Sequence, residues 1–274
     1  MLLISADVAT APAGYMLRDS SRPDHGFQCW SEYIVHGQVL FILVTQSITQ
    51  STPHTSTNPF YQKASIWQST MSLPRRAIIT ITSAHAPLFE GTHTTGVFVT
   101  EVLHPFKVFT EAGFEVDITS EKGTYTPDWL SLTPDFLSGS DRATWDDVSS
   151  PFRKKLDNHP LASTIDGNKY GVFFASAGHA ALLDYPTATD LKKIAATVWS
   201  NGGIVSSVCH GPAVFQDLID AATGEPLIKG KTLTGFTTEA ETVMGIQEEL
   251  KSWKKPLVEE TAEAMGATCE FEST

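Results

Sequence analysis

Cysteine is scarce in this chain, which excludes a disulfide-stabilised fold. Its 274 residues include three cysteines, Cys29, Cys209 and Cys269, and they are widely spaced. An odd number at such spacings argues against a disulfide framework and for a reducing compartment. We therefore expect a cytoplasmic protein, with the nucleus as a second location.

Basic residues are also in short supply. The chain has 19 Lys and Arg against 31 Asp and Glu, which gives a formal net charge of −12. Nucleic acids and anionic membranes are bound mainly through clustered Lys and Arg. We expect neither as a partner, and a small or neutral ligand fits this charge balance better.

Long hydrophobic runs and compact metal-binding motifs are lacking as well. The apolar run at residues 39–44 (VLFILV) is far shorter than the roughly 20 residues that span a bilayer. It also lacks the charged flank of a secretory signal. The nine histidines form no H-E-x-x-H or similar pattern, so we predict no catalytic metal.

The two parts of the chain differ in composition. Residues 1–70 include Ser/Thr/Gln/Pro-rich stretches such as QSITQSTPHTSTNPFYQ, which predict a poorly ordered extension with one possible strand at residues 39–44. From residue 71 strand and helix patterns alternate, so we predict an α/β domain over residues 71–274 whose mainly parallel sheet is covered by helices.

The predicted elements of this domain follow from hydrophobic periodicity and from glycine and proline positions. We predict a lid or an accessory helical pair in the irregular stretch 121–168. Short strands are expected within 226–236, and one more short strand is expected after the last helix. The strands are predicted at 77–82, 114–120, 170–176 and 203–208, and the helices at 94–113, 191–199, 211–223, 239–253 and 258–266.

Cys209 lies in GGIVSSVCHGPAVF, at the carboxyl end of a predicted strand, which is where ligands bind in open parallel sheets. A tight strand-to-helix turn there would present the sulfur outward, as a nucleophile elbow does. Gly211 would let the backbone turn closely. The dipole of the following helix and any nearby imidazolium should lower the pKa of the thiol below its usual ~8.5. The alternative is that Cys209 is a buried, inert side chain.

A nucleophile needs a proton acceptor and an oxyanion site. Glu101 lies in the apolar stretch GVFVTEVL, where an unpaired carboxylate is costly unless it is protonated or functional. The amides of Gly178 and His179, in the turn SAGHA, could point at an oxyanion. The alternatives are a solvent-facing glutamate and an ordinary turn glycine.

Several long segments, in this order, resemble one known family. They are TGVFVTEVLHPF, EAGFEVDITSEKG, VFFASAGHAALLDYP, NGGIVSSVCHGPAVF and GKTLTGFTTEAE. Together they are similar to the glutathione-independent glyoxalase III family, a heat-shock-type branch of the PfpI-like, class I glutamine amidotransferase-like superfamily. The resemblance implies a flavodoxin-like α/β sandwich with a nucleophile elbow.

The resemblance also implies roles for particular residues. Cys209 matches the nucleophile, His210 the adjacent triad histidine, and Glu101 the general acid/base that faces the thiol. Glu241 matches the acidic residue that orients the histidine. The oxyanion and substrate-binding positions are then Gly178, His179 and Gly211.

The implied reaction is that of a lyase of the D-lactate dehydratase type. It converts methylglyoxal or glyoxal, with water, to D-lactate or glycolate without glutathione, metal or organic cofactor. The implied partners are a small dicarbonyl substrate, unfolded protein clients and a second copy in a homodimer. The family continues past the position of Ala267 with a further strand and helix, so we expect a truncated C-terminus.

Three other functional hypotheses are compatible with the sequence. They are a stress-induced holding chaperone, a redox sensor based on oxidation of Cys209, and an inactive, truncated paralogue. A glutamine amidotransferase fits poorly, because its histidine does not directly follow the nucleophile.

Overall fold

A computed structural model describes residues 73–270 and the backbone of the strand Ile42–Val44. That strand coincides with the end of the strand predicted at 39–44. The rest of the predicted extension lies outside the described residues. The domain division at residue 71 and the C-terminal truncation both stay predictions.

The strands of the described region are mostly short, and the longest of them contain many β-branched residues, which favour extended structure. They are β1 Ile42–Val44, β2 Arg76–Ile81, β3 Ala86–Leu88, β4 His93–Thr95, β5 Glu115–Ser120, β6 Val172–Ala175, β7 Ile204–Ser207, β8 Ile219–Asp220, β9 Glu225–Pro226, β10 Thr232–Leu233 and β11 Thr268–Cys269.

The helices pack against the sheet or form the surroundings of its carboxyl edge. They are α1 Thr100–Glu111, α2 Gly139–Asp146, α3 Pro151–Asp157, α4 Ala181–Asp184, α5 Thr189–Ser200, α6 Thr238–Val243, α7 Gln247–Ser252 and α8 Val258–Ala264. None of the helices in residues 73–270 is long and apolar enough to cross a membrane.

The central sheet confirms the predicted α/β architecture. Over the described residues it has the order β1-β7-β6-β2-β5, in which β2, β5, β6 and β7 pair in parallel and β1 pairs with β7 antiparallel. Parallel strands point their carboxyl ends to the same edge. The turns after β6 and β7 therefore lie side by side, and both belong to the predicted site.

Each face of the sheet is covered by its own apolar core. One core contains the buried face of α5 and the side chains around Tyr185 and Phe215. The other contains the buried face of α1 together with Phe152 and Leu156 of α3. Apolar layers on both faces are what a flavodoxin-like sandwich requires.

Three predicted helices differ from the structure. The helix predicted from residue 94 begins at Thr100, because a side chain at Gly96 would lie 2.0 Å from the carbonyl oxygen of Thr126 and the chain there is extended. The helix predicted at 211–223 is wrong. A 3₁₀ helix at Gly211–Phe215 stands in its place, followed by the hairpin of β8 and β9.

The third difference is smaller. The segment 239–253 forms two short helices, α6 and α7, separated near Gly245, which has a φ of 73°. The predicted accessory helical pair in 121–168 is confirmed as α2 and α3. Pro105 lies within α1 without ending it.

Candidate active site

Cys209 occupies a sharp turn just beyond the carboxyl end of β7. Its φ of 56° is a left-handed conformation that non-glycine residues adopt at a cost, and such strain is typical of functional turns. Gly211 makes the turn possible, because a Cβ there would lie 2.4 Å from the carbonyl oxygen of Ala175. The elbow predicted from the sequence is therefore present.

A chain of short contacts links the sulfur to a carboxylate. The Sγ of Cys209 lies 3.1 Å from Nδ1 of His210, and Nε2 of His210 lies 2.7 Å from Oε1 of Glu241. His210 and Glu241 are buried. Glu241 belongs to α6, which the side chain of Thr237 caps by accepting from the amide of Ala240. This arrangement has the form of a Cys-His-Glu triad.

Glu241 also contacts a second imidazole. Nε2 of His179 lies 3.1 Å from Oε2 of Glu241, so the carboxylate bridges two histidines. The ring of Phe236 stacks on that of His210, with centroids 4.7 Å apart. The sequence predicted a role only for the amide of His179 and no role for Phe236. No local spacing indicates either contact, because the residues come from separate segments.

Glu101 lies near the sulfur of Cys209, on the helix α1 whose buried face belongs to the second apolar core. It lies in the first turn of α1 with no exposed surface, and its Oε2 accepts a hydrogen bond of 3.1 Å from the amide of Ala177. The thiol of Cys209 interacts with the same carboxyl group. Oε1 has no hydrogen-bond partner in the described part of the chain. A buried polar atom without a partner is unusual, and a bound ligand would supply one.

The electrostatics divide the two glutamates. Burial raises the pKa of Glu101 to about 8, against the opposing effect of hydrogen bonds from Cys209 and Ala177. Burial would raise the pKa of Glu241 too, but the contacts with His210 and His179 outweigh it and lower the pKa to about 2. At neutral pH Glu101 is therefore an acid and Glu241 a carboxylate.

The predicted lowering of the thiol pKa is wrong in direction. Burial and the neighbouring Glu101 raise the pKa of Cys209 well above its ordinary value. Burial and the neighbouring imidazole of His179 lower the pKa of His210, so that the His210 ring is neutral at neutral pH. The resting pair is thus a thiol beside an imidazole base. The missing helix also matters, since a 3₁₀ turn of five residues provides little dipole.

The turn after β6 faces the same space. Gly178 has a φ of 126° and passes so close to Gly96 that a Cβ would lie 2.1 Å from its carbonyl oxygen. Within residues 73–270 no acceptor engages the amides of Gly178 and His179. The amide of Gly211, in contrast, donates to the carbonyl of Val208 at 2.7 Å. Gly211 therefore provides backbone space and no donor to an oxyanion.

A pocket of about 580 Å³ leads to the sulfur. Its walls are mostly apolar, and the only acidic side chain among the described lining residues is that of Glu239. Val243 stands at 83% exposure. The lining consists of Phe98, Leu130, Phe136, Gly178, His179, Cys209, Phe236, Glu239, Ala240, Val243 and Met244.

Two histidines of the segment after β2, His85 and His93, lie away from the pocket. His85 is exposed. The ring of His93 stacks on Trp129, with centroids 3.7 Å apart. Neither histidine is among the described residues that line the pocket.

Comparison with known proteins gives the family. No protein-family model matches the chain. Glyoxalase 3 of Candida albicans is 47% identical over 193 residues, which are 70% of this chain and 82% of that protein. Glutathione-independent glyoxalase HSP31 of Saccharomyces cerevisiae is 44% identical over 194 residues, 71% of this chain and 82% of its own. The chain belongs to the glutathione-independent glyoxalase family.

A solved structure agrees with this membership. The crystal structure of glyoxalase III from Candida albicans superimposes with a TM-score of 0.71 at 46% identity, covering 73% of this chain and 83% of the other. The family resemblance of the sequence segments is thereby confirmed, and so is the flavodoxin-like fold. In this glyoxalase family member the thiol, the neutral imidazole and the protonated carboxyl meet at one end of the sheet.

Proposed function

We propose that this protein is a glutathione-independent glyoxalase of the lyase class, which converts methylglyoxal and water to D-lactate, and glyoxal to glycolate. The observation that carries the proposal is the position of Cys209 between a neutral imidazole and a protonated carboxyl. This chain places a thiol of its own at the end of the pocket, so the proposed reaction needs no thiol from glutathione.

The first step is addition of the thiol to the aldehyde. The proton of the Cys209 thiol passes to Nδ1 of His210 while the sulfur bonds to the aldehyde carbon. The Nε2–H of the resulting imidazolium donates to Glu241, which is already a carboxylate. The free amides of Gly178 and His179 are placed to stabilise the oxyanion, which becomes the hydroxyl of a hemithioacetal on receiving a proton from Glu101.

The second step moves a proton between neighbouring carbons. The carboxylate left on Glu101 takes the hydrogen of the former aldehyde carbon, and the ketone oxygen receives the proton from His210, giving an enediol. Glu101 then returns its proton to the second carbon, and the hydroxyl of the first carbon passes its own proton to Nδ1 of His210. The product is a thioester of lactate on Cys209, and water hydrolyses it. No external oxidant or reductant is needed.

The pKa of Glu101 suits this double role. A general acid/base works best with a pKa near the working pH, and burial raises this one to about 8. Delivery of the proton from one fixed side chain reaches one face of the enediol, which accounts for a single stereoisomer of lactate.

A stereospecific lactate assay tests the proposal. Purified full-length protein is given methylglyoxal without glutathione, beside the variants Cys209→Ala and Cys269→Ala. Cys269 lies in β11 and takes no part in the pocket, so it is a matched control for loss of a thiol. We expect D-lactate from the wild type and from Cys269→Ala, and a loss of at least a thousandfold in Cys209→Ala, as for other removed nucleophiles.

Other outcomes would count against the proposal. Folded wild-type protein that makes no D-lactate would contradict the function. Equal loss in both cysteine variants would contradict the assignment of the nucleophile. The chaperone and redox-sensor readings, the homodimer and the cytoplasmic location stay predictions.

A further inference from the structure

The bridging of two imidazoles by one carboxylate places metal-ligating atoms together. One ring nitrogen of His179, one of His210 and a carboxylate oxygen of Glu241 all lie within 4.8 Å of one another, and all three residues are buried. A triad needs only His210 and Glu241. His179 is the extra member, and the glyoxalase chemistry proposed above uses its amide and gives its ring no part in proton transfer.

A tetrahedral cation fits among these atoms once they move closer together, since they lie within 4.8 Å of one another. Zinc binds histidine nitrogen and carboxylate oxygen at about 2.0–2.2 Å, so two ligands on one tetrahedral ion are about 3.3 Å apart. The two Nε2 atoms contact different oxygens of the carboxylate, Oε2 at 3.1 Å for His179 and Oε1 at 2.7 Å for His210. A cation entering between them would replace two N–H···O contacts by three bonds.

We propose that His179, His210 and Glu241 form a binding site for a divalent transition-metal cation of the zinc type, and that the bound cation reversibly inhibits the enzyme. The donor set is two imidazoles and one carboxylate, which suits zinc better than magnesium or calcium. A fourth position stays open to water on the pocket side, because His179 borders the pocket.

Inhibition follows from the tautomer of His210. In the metal-free triad Nε2 carries the hydrogen and Nδ1 is free to accept from the thiol 3.1 Å away. A cation on Nε2 of the neutral ring requires the hydrogen to be on Nδ1. Nδ1 is then a donor facing the sulfur and cannot take its proton. Cys209 touches the nitrogen opposite the cation, so the thiol is not one of the ligands.

Calorimetric titration with zinc alone tests the site. We expect one zinc ion per chain for the wild type, at least tenfold weaker binding for His179→Gln, and weaker binding again for Glu241→Gln. Cys209→Ala should bind zinc as the wild type does. His85→Gln replaces an exposed histidine and serves as the matched control, with no change expected.

A lactate assay on the same proteins tests inhibition. The activity of the wild type should fall as zinc is added, in parallel with occupancy, and return with a chelator. Zinc bound by His179→Gln as tightly as by the wild type would overturn the proposal. Binding lost in Cys209→Ala would do the same, because it would place the ion on the thiol. The titration needs no catalytic activity, so an inactive chain that binds zinc would contradict the glyoxalase proposal and leave the metal site standing.

Discussion

Two glutamates at one site have opposite protonation states, and their immediate neighbours explain it. Glu101 is buried beside a thiol and a single amide, and no cation in the described part of the chain stabilises its negative charge. Glu241 is buried between two imidazoles that both donate to it. Environments that push two carboxyl pKa values apart assign the acid and the base. The division of labour at this site thus arises from contacts made by single side chains.

The first prediction at this scale concerns the pH dependence of the rate. Glu101 must carry a proton to act as the acid, and its folded pKa is about 8. The kcat/KM for methylglyoxal should therefore be steady at neutral pH and fall as the pH rises through 8, approaching a tenfold loss per further pH unit. Steady-state rates over a buffer series measure it.

The control is Glu101→Gln, which has nearly the same shape without a titrating proton. Its residual rate should be lower by at least a hundredfold and should not show the fall near pH 8. A wild-type profile that stays flat well above pH 8, or that keeps its fall in Glu101→Gln, would contradict the role of Glu101.

Two parts of the helix α1 make contacts that matter to the site. Its first turn carries Glu101, and its middle is tied to α2 by Asp141, which accepts from His104 at 2.8 Å and from Lys107. Burial alone would raise the pKa of Asp141, but these two hydrogen bonds outweigh it and lower the pKa to about 2. The contact therefore joins α2, from the accessory pair, to the helix that carries the acid.

This contact predicts how stability depends on acid. A carboxyl with a depressed folded pKa stabilises the fold above its unfolded pKa of about 4 and loses that effect as the pH falls to about 2. Asp141→Asn should lower the free energy of unfolding at pH 7 by on the order of 2 kcal/mol. Urea unfolding at several pH values should show that difference shrinking between pH 4 and pH 2.

A matched control is Asp146→Asn, which removes an exposed ion pair with Arg142 from the same helix. Exposed pairs contribute less than about 1 kcal/mol, so this variant should be close to the wild type. Equal effects of the two substitutions would show that Asp141 has no special part in joining α1 to α2.

The strand β1 is an element whose contribution is readily tested. It pairs with β7, the strand that leads to Cys209, with Ile42 opposite Ser207 and Val44 opposite Val205. Without it, β7 would be an open edge of the sheet. Deleting residues 39–44 should lower the unfolding temperature by several degrees and speed hydrogen exchange at the amides of 204–207.

The comparison for that deletion is a chain that lacks residues 1–38 and keeps 39–44. We expect its exchange at 204–207 to match that of the full chain. If exchange at these amides is the same with and without residues 39–44, the pairing of β1 with β7 contributes nothing to stability.

Sequence patterns were sufficient for elements whose signal is local. The strands at 77–82 and 114–120 and the helix at 191–199 have regular periodicity, and all three are present. The helix expected after Cys209 is not, because Gly211–Phe215 is buried on every side and shows no polar face that would distinguish a long helix from a tight turn.

At the scale of the whole molecule, the site exists only because the parallel sheet brings distant segments to one edge. The sequence allowed the elbow at Cys209 to be predicted from its glycines, and family resemblance added Glu241. It gave no sign of the ring contact between His179 and Glu241 or of the stacking of Phe236 on His210. Those contacts depend on how the loop before α6 lies against the turns after β6 and β7.

The direction of the thiol pKa is a further property of the whole arrangement. The residues next to Cys209 in the sequence predicted a thiolate. In the folded chain, burial under the loops and the facing Glu101 raise the pKa of Cys209. The enzyme is therefore expected to rest as a thiol and to ionise only as it adds to a substrate.

The most direct test of this mechanism is to observe the covalent adduct. Methylglyoxal with an isotope label on the aldehyde carbon is added to the slow variant Glu101→Gln, and the NMR signal of that carbon is recorded. We predict a hemithioacetal signal that disappears when Cys209→Ala is combined with it and remains when Cys269→Ala is combined instead. A hemithioacetal signal that survives the loss of Cys209 would contradict the central role of this thiol.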